Sequence, residues 1–113
     1  MKHVIATLKG DLSLNLKIYQ AMFDACKRAD LTILNSAKHD FYPQGLTAVI
    51  VLAESHMTIH TYPEKNLGYV DCFTCNESND PRRAIEILAD FLNCEIKGLQ
   101  LIDRTYQENY ERK

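Results

Sequence analysis

The seven residues Leu46-Thr47-Ala48-Val49-Ile50-Val51-Leu52 constrain this chain more than any other stretch. Four of them are β-branched and none is charged. The run is too short for an independent helix and too apolar for a surface strand, so it reads as a central strand buried on both sides or nearly so. Pro43-Gln44-Gly45 supplies the turn before it. Directly after it comes Ala53-Glu54-Ser55-His56-Met57-Thr58-Ile59-His60-Thr61-Tyr62-Pro63-Glu64, with one serine, two histidines and two glutamates in twelve residues. Ionisable chemistry so dense at the end of a buried strand is the main functional clue.

The flanking segments fall into alternating elements. His3 to Leu8 is a β-rich run stopped by Gly10. Asp11 or Ser13 is placed to cap a helix running to about Ala29, with Leu14, Ile18, Met22 and Cys26 on one face, flanked by Tyr19 and Phe23. Leu31 to about Asp40 is extended, Met57 to Thr61 alternates in the strand manner, and Tyr69 to Thr74 is another strand. Asp80-Pro81 is a helix start, with Asp80 as N-cap, and the helix continues through Ile85, Leu88 and Phe91 or Leu92. Glu95 to Ile102 is a last strand, and 104–113 reads as a polar tail. This order predicts an α+β fold, a two-layer sandwich of an antiparallel sheet with two helices on one face. Two helices cover one face only. A second copy of the chain is the simplest cover for the other, giving a homodimer with α-β-β-α layers.

The totals narrow the function. The 113 residues suit a single domain without internal repeats, and fifteen acidic against thirteen basic side chains give a net charge of −2 without a basic stripe. Nucleic-acid binding therefore has little electrostatic support. Neither a membrane-length apolar run nor a signal-like N-terminal segment is evident, so the expected location is cytoplasmic.

Cys26 and Cys94 fall in apolar helical patterns and read as buried free thiols. Cys72 and Cys75 form C-x-x-C, but in a strand their side chains point to opposite faces and share no ligand. His56 and His60 form H-x-x-x-H, yet on a strand they stand roughly 13 Å apart, too far for one ion. No metal is expected. Ser55 is different, because a serine hydroxyl becomes a nucleophile only beside a base. It sits where the buried strand breaks, with His60 expected within reach as its base. The absence of flanking glycines and of a following helix excludes a G-x-S-x-G hydrolase.

Three segments carry a family resemblance. Glu54-Ser55-His56-Met57-Thr58-Ile59-His60-Thr61-Tyr62-Pro63-Glu64 is similar to the ESH-L-[ST]-IHT-[WY]-PE motif of the short prokaryotic S-adenosylmethionine decarboxylases. Asp71-Cys72-Phe73-Thr74-Cys75 resembles their D-x-FTC, and His39-Asp40-Phe41-Tyr42-Pro43-Gln44-Gly45-Leu46-Thr47 resembles their H-x-F-x-P-x-G-x-[ST]. The likeness runs from about His3 to Asp103. Met57 stands where Leu is usual, Thr47 where Ser is common, and the opening segment departs from the usual G-[KR]-H-L.

The resemblance implies a zymogen that cuts itself between Glu54 and Ser55, leaving chains 1–54 and 55–113. Ser55 becomes a pyruvoyl group, a self-generated cofactor that holds the substrate amine as a Schiff base. His60 is implied as the processing base, Thr47 as the hydrogen bond to the oxyanion, and Cys75 as the proton donor after CO₂ leaves. Phe41 is implied against the adenine and sulfonium of S-adenosylmethionine, and Glu64 on its ribose. The product would be the aminopropyl donor of polyamine synthesis, made in a site between two protomers. Pyruvoyl-dependent arginine and ornithine decarboxylases share the processing motif and are the alternative. A non-catalytic subunit is a third reading.

Overall fold

The computed structural model describes residues 1–112. The elements are β1 (Lys2–Lys9), α1 (Asn15–Arg28), β2 (Ile33–Asp40), β3 (Leu46–Leu52), β4 (Ser55–Tyr62), β5 (Leu67–Thr74), α2 (Pro81–Leu92) and β6 (Glu95–Asp103). The 3₁₀ turn Pro63–Lys65 joins β4 to β5. All six strands form one sheet in the order β2-β3-β4-β5-β1-β6. Each neighbouring pair is antiparallel, as the alternating pattern predicts.

Burial alternates along the inner strands and marks one covered face. Val4, Ala6 and Leu8 of β1 and Met57, Ile59 and Thr61 of β4 are buried there, against Ile18, Met22, Ile85 and Leu88 of the helices. The other face carries His3, His56, His60, Asp71 and Tyr69, and within one chain no described element covers it. β3 departs from expectation here. Leu46, Ala48, Ile50 and Leu52 are buried, but Thr47, Val49 and Val51 point to the open face, and Val51 is 41% exposed. Both helices lie on the same side of the sheet, so β3 is buried on one side only.

Local chemistry explains the remaining boundaries. α1 starts at Asn15 without a side-chain cap, because Asp11 Oδ1 instead accepts from the backbone N–H and hydroxyl of Ser13. Leu14 lies before the helix and is exposed. Asp80 does cap α2, accepting from the Arg82 N–H at 3.0 Å, and Pro81 is its first residue. α2 ends at Leu92, which is buried where Phe91 is not, and Asn93 takes the left-handed conformation that closes it. Cys26 is buried in α1, but Cys94 lies between α2 and β6 rather than in a helix. A Cβ at Gly10 would come within 2.7 Å of Cys94 Sγ, so that approach requires glycine. Replacing Asp80 by Ala strands one backbone donor of α2 and should lower stability by about 1 kcal/mol, read as an earlier urea midpoint with unchanged slope.

Candidate active site

β3 and β4 are joined by Ala53 and Glu54 alone, so Ser55 pairs with Leu52 and begins β4 two residues earlier than the alternation at Met57 suggests. The turn is pinned from both sides. Glu54 Oε1 accepts from the Thr32 N–H at 2.9 Å and Oε2 from the Thr32 hydroxyl at 3.2 Å. The Ala53 N–H donates to the Thr32 carbonyl at 2.9 Å. The Glu54 carbonyl, whose carbon bonds to Ser55 N, accepts from the Cys75 N–H at 2.9 Å. Ser55 itself has φ 151°, a region that side-chain-bearing residues seldom occupy. A strained residue thus follows a carbonyl already polarised by a backbone donor.

Cys75 stands one residue beyond β5 and is exposed, whereas Cys72 is buried beneath the helices. Burial pushes the Cys72 thiol far above the usual cysteine value. The two therefore occupy unlike environments.

Next to the turn lies a polar cluster on the open face, built across three strands. Asp71 Oδ2 sits 2.7 Å from His3 Nε2 and 3.0 Å from His56 Nε2, and Thr58 Oγ1 donates to Asp71 Oδ1. Arg104 Nη1 donates to His3 Nδ1 at 2.9 Å, which puts the His3 proton on Nε2. His56 Nδ1 faces Ser55 Oγ at 3.4 Å. Burial raises the Asp71 pKa, but donation by Thr58, His3 and His56 outweighs it and holds the carboxyl below the usual aspartate value. His3, His56 and Asp71 offer ligand atoms within 4.8 Å of one another, a spacing able to hold a metal ion. Arg104 adds a fixed positive charge beside them, which opposes a cation there.

The other implied residues gather further along the sheet. Thr47 Oγ1 lies 2.7 Å from His60 Nδ1 across the β3–β4 pair. The Phe41 ring stands 6.0 Å from that of His60, and Glu64 Oε2 accepts from Gln44 Nε2 at 3.1 Å. His60 follows Ser55 by five positions on the same strand, a separation of roughly 16 Å. Within one chain it does not reach the serine, contrary to the expectation that it stands within reach as its base, because Ser55 itself begins the strand that carries His60. The structure thus brings Glu54, Ser55 and Cys75 together, brings Thr47, His60 and Phe41 together, and keeps the two groups apart. A concavity of about 520 Å³ on the open face is lined by Thr47, Thr58, His60, Tyr69 and Asp71 and extends to Ile5 and Gln100, beside the Thr47–His60 pair rather than at the turn.

Thr32, His3, Asp71 and Arg104 enter the site without having been singled out from the sequence, and His56, weighed there only as a metal ligand with His60, enters it as the neighbour of Ser55. Asp71 and His56 stand inside the motifs, yet only the register that sets Thr58 opposite Asp71 and His56 opposite Phe73 brings them into contact.

Fold and site define a small α+β protein whose reactive groups surround the turn between β3 and β4. The S-adenosylmethionine decarboxylase family matches residues 2–105. An S-adenosylmethionine decarboxylase proenzyme 2 of Bacillus cereus is 40% identical over 95 residues, 80% of this chain and 77% of that protein. The S-adenosylmethionine decarboxylase proenzyme of Pseudomonas paraeruginosa is 39% identical over 87 residues, covering 77% of this chain and 54% of that one. The crystal structure of the adenosylmethionine decarboxylase from Aquifex aeolicus superposes with a TM-score of 0.83 at 32% identity, covering 99% of this chain and 96% of that one. The chain belongs to the S-adenosylmethionine decarboxylase family.

Asp71 titrates lower folded than unfolded, so its contribution to stability is present above the ordinary aspartate range and is lost as pH falls through its depressed value. Asp71→Asn should therefore be less stable than the parent at neutral pH, by on the order of 2 kcal/mol. The gap should close on acidification. Urea unfolding across that range checks it, and a gap independent of pH contradicts it.

Proposed function

We propose that this chain is the proenzyme of a pyruvoyl-dependent S-adenosylmethionine decarboxylase, cutting itself between Glu54 and Ser55. The observation that carries this reading is the pinned Glu54 carbonyl followed by Ser55 at φ 151°. Family membership favours S-adenosylmethionine over arginine or ornithine as substrate. The presence of Ser55, His60 and Cys75 together argues against a non-catalytic subunit.

In processing, Ser55 Oγ attacks the Glu54 carbonyl carbon and converts the amide into an ester. Elimination then releases the Glu54 carboxylate and leaves dehydroalanine at position 55, which water converts to a pyruvoyl group with loss of ammonia. The residues present fit that group, since Ser55 supplies its atoms beside the exposed Cys75. Once formed, it supplies an electron sink for decarboxylation of an α-amino acid. The Cys75 thiol gives a proton to the former α-carbon.

His60 and Thr47 serve processing from a second copy, because their own Ser55 is roughly 16 Å away along β4. Two chains packed by their open faces would bury Val49, Val51 and the tyrosines there and bring one chain's Thr47–His60 pair to the other's turn. Phe41 and Glu64 accompany that pair, so the same second copy holds the sulfonium against an aromatic face and the ribose against a carboxylate.

Assay against S-adenosylmethionine, arginine and ornithine, following CO₂, should show release from the first alone. Intact mass should show two fragments, the C-terminal one lighter by ammonia than simple hydrolysis leaves, while Ser55→Ala stays whole and inactive. A single uncut chain with full activity would sink self-cleavage.

A shared site predicts complementation. His60→Ala alone should stay whole but be cut when co-folded with Ser55→Ala, which retains His60. No cutting of the His60→Ala chain in the mixture refutes the dimer. Cys75→Ala should still process and then turn over slower by about 100-fold, while Cys72→Ala stays near the parent rate. Equal losses in both would instead point to a paired thiol role.

A further inference from the structure

We infer that His56, oriented by Asp71, is the base that takes the hydroxyl proton of Ser55 at the start of self-cleavage, within the same chain. This rests on the self-cleavage proposed above and concerns its first step. Forming the pyruvoyl group removes two protons from Ser55, one from Oγ on attack and one from Cα on elimination. Two histidines from different directions suit two such removals. His56 Nδ1 lies 3.4 Å from Oγ, while the same chain's His60 is roughly 16 Å along the strand.

The hydrogen bonds leave Nδ1 as the bare nitrogen of His56. A carboxylate only accepts, so Asp71 Oδ2 at 3.0 Å holds the proton of His56 on Nε2. His3 also presents its Nε2 proton to that oxygen, its Nδ1 being taken by Arg104, so it does not compete for Ser55. Thr58 occupies the other carboxylate oxygen. Of the groups around His56, Asp71 is the anion, His3 is a second donor to that anion, and the Arg104 cation lies beyond His3. The carboxylate fixes the tautomer and steadies the imidazolium that forms. The order hydroxyl, imidazole, carboxylate is that of a Ser-His-Asp triad with the two ring nitrogens exchanged.

The step balances without a co-reactant. As the Ser55 Oγ–Glu54 C bond forms, the Oγ proton passes to His56 Nδ1 and the carbonyl electron pair moves onto the Glu54 oxygen. The Cys75 N–H, already 2.9 Å away, stabilises that charge. On collapse the C–N bond breaks, and His56 returns the proton to Ser55 N, which leaves as an amine. The product is an ester isomeric with the starting amide. Nothing is oxidised or reduced, and the strained φ of Ser55 is freed from its peptide link.

The test follows freshly made full-length chain by intact mass, with and without hydroxylamine, which cuts esters and spares amides. The parent chain should process. His56→Ala should stay whole, acquire no hydroxylamine-sensitive bond, and process slower by about 100-fold or more, with partial recovery in added imidazole. Asp71→Asn should slow processing by about tenfold and move the acidic limb of the rate profile to lower pH, because the imidazolium loses its anion. Should His56→Ala fail to fold, the Asp71→Asn profile decides. Parent-like processing by His56→Ala overturns the assignment. So does a block that imidazole leaves untouched while Asp71→Asn keeps the parent rate and profile, which marks a packing role. A parent chain that never cuts refutes self-cleavage itself, a different failure.

Discussion

The register of β4 is the constraint on which the site depends. Because only Ala53 and Glu54 separate β3 from β4, Ser55 is opposite Leu52, and the strand's parity is set from its first residue. His56, Thr58 and His60 then face the open side while Met57, Ile59 and Thr61 enter the core. A slip of one residue would bury two imidazoles and expose Met57 and Ile59, so the hydrophobic core itself enforces the placement of the polar set. Anchoring of Glu54 to Thr32 adds a tether from the residue before β2, which ties the turn to the sheet edge as well as to its neighbours.

Asp71 does for the open face what that register does for the core. A half-buried carboxylate is costly unless its oxygens are satisfied. Here the donors come from the strands on either side of β5, His3 on β1 and His56 and Thr58 on β4. The satisfaction runs both ways, since each donation fixes a tautomer or a rotamer. Arg104, at the start of what reads as a polar tail, completes the set by donating to His3 Nδ1, and its guanidinium stands 5.6 Å from the Phe73 ring. The segment after β6 is therefore joined to the site at its first residue.

Alternation and caps make much of the fold legible in advance. The bounds of β3 follow from its uninterrupted apolar run, though its one-sided burial does not. Asp80 at the start of α2 and the antiparallel order follow from periods of two and 3.6 residues and from a proline-marked helix start. The pattern misleads where a side chain takes a local partner. Asp11 turns to Ser13 instead of capping α1, and Cys94 falls into the link beside Gly10. The candidate site is legible as a residue set through the motifs, but its geometry is not. Strand spacing puts His60 far from Ser55, and the Asp71 cluster joins β1, β4 and β5 through pairings between residues up to 68 positions apart, which no local pattern encodes.

The division of groups along the open face has a chemical consequence for the proposed reaction. One chain carries at its turn everything an amide-to-ester shift uses: a hydroxyl, an imidazole with a carboxylate behind it, and a backbone donor on the carbonyl. That shift is reversible, because an ester beside a free amine readily returns to the amide. Elimination is not reversible in the same way, since it expels a carboxylate and water then consumes the product. In the proposed dimer, the distance of the Thr47–His60 pair from its own serine would leave the committing step to the assembled pair of chains. A lone chain would cycle between amide and ester without losing its covalent continuity. Only a pair of correctly folded sheets, face to face, would convert a serine into a cofactor, so the same contact that covers the apolar Val49 and Val51 would also license the chemistry.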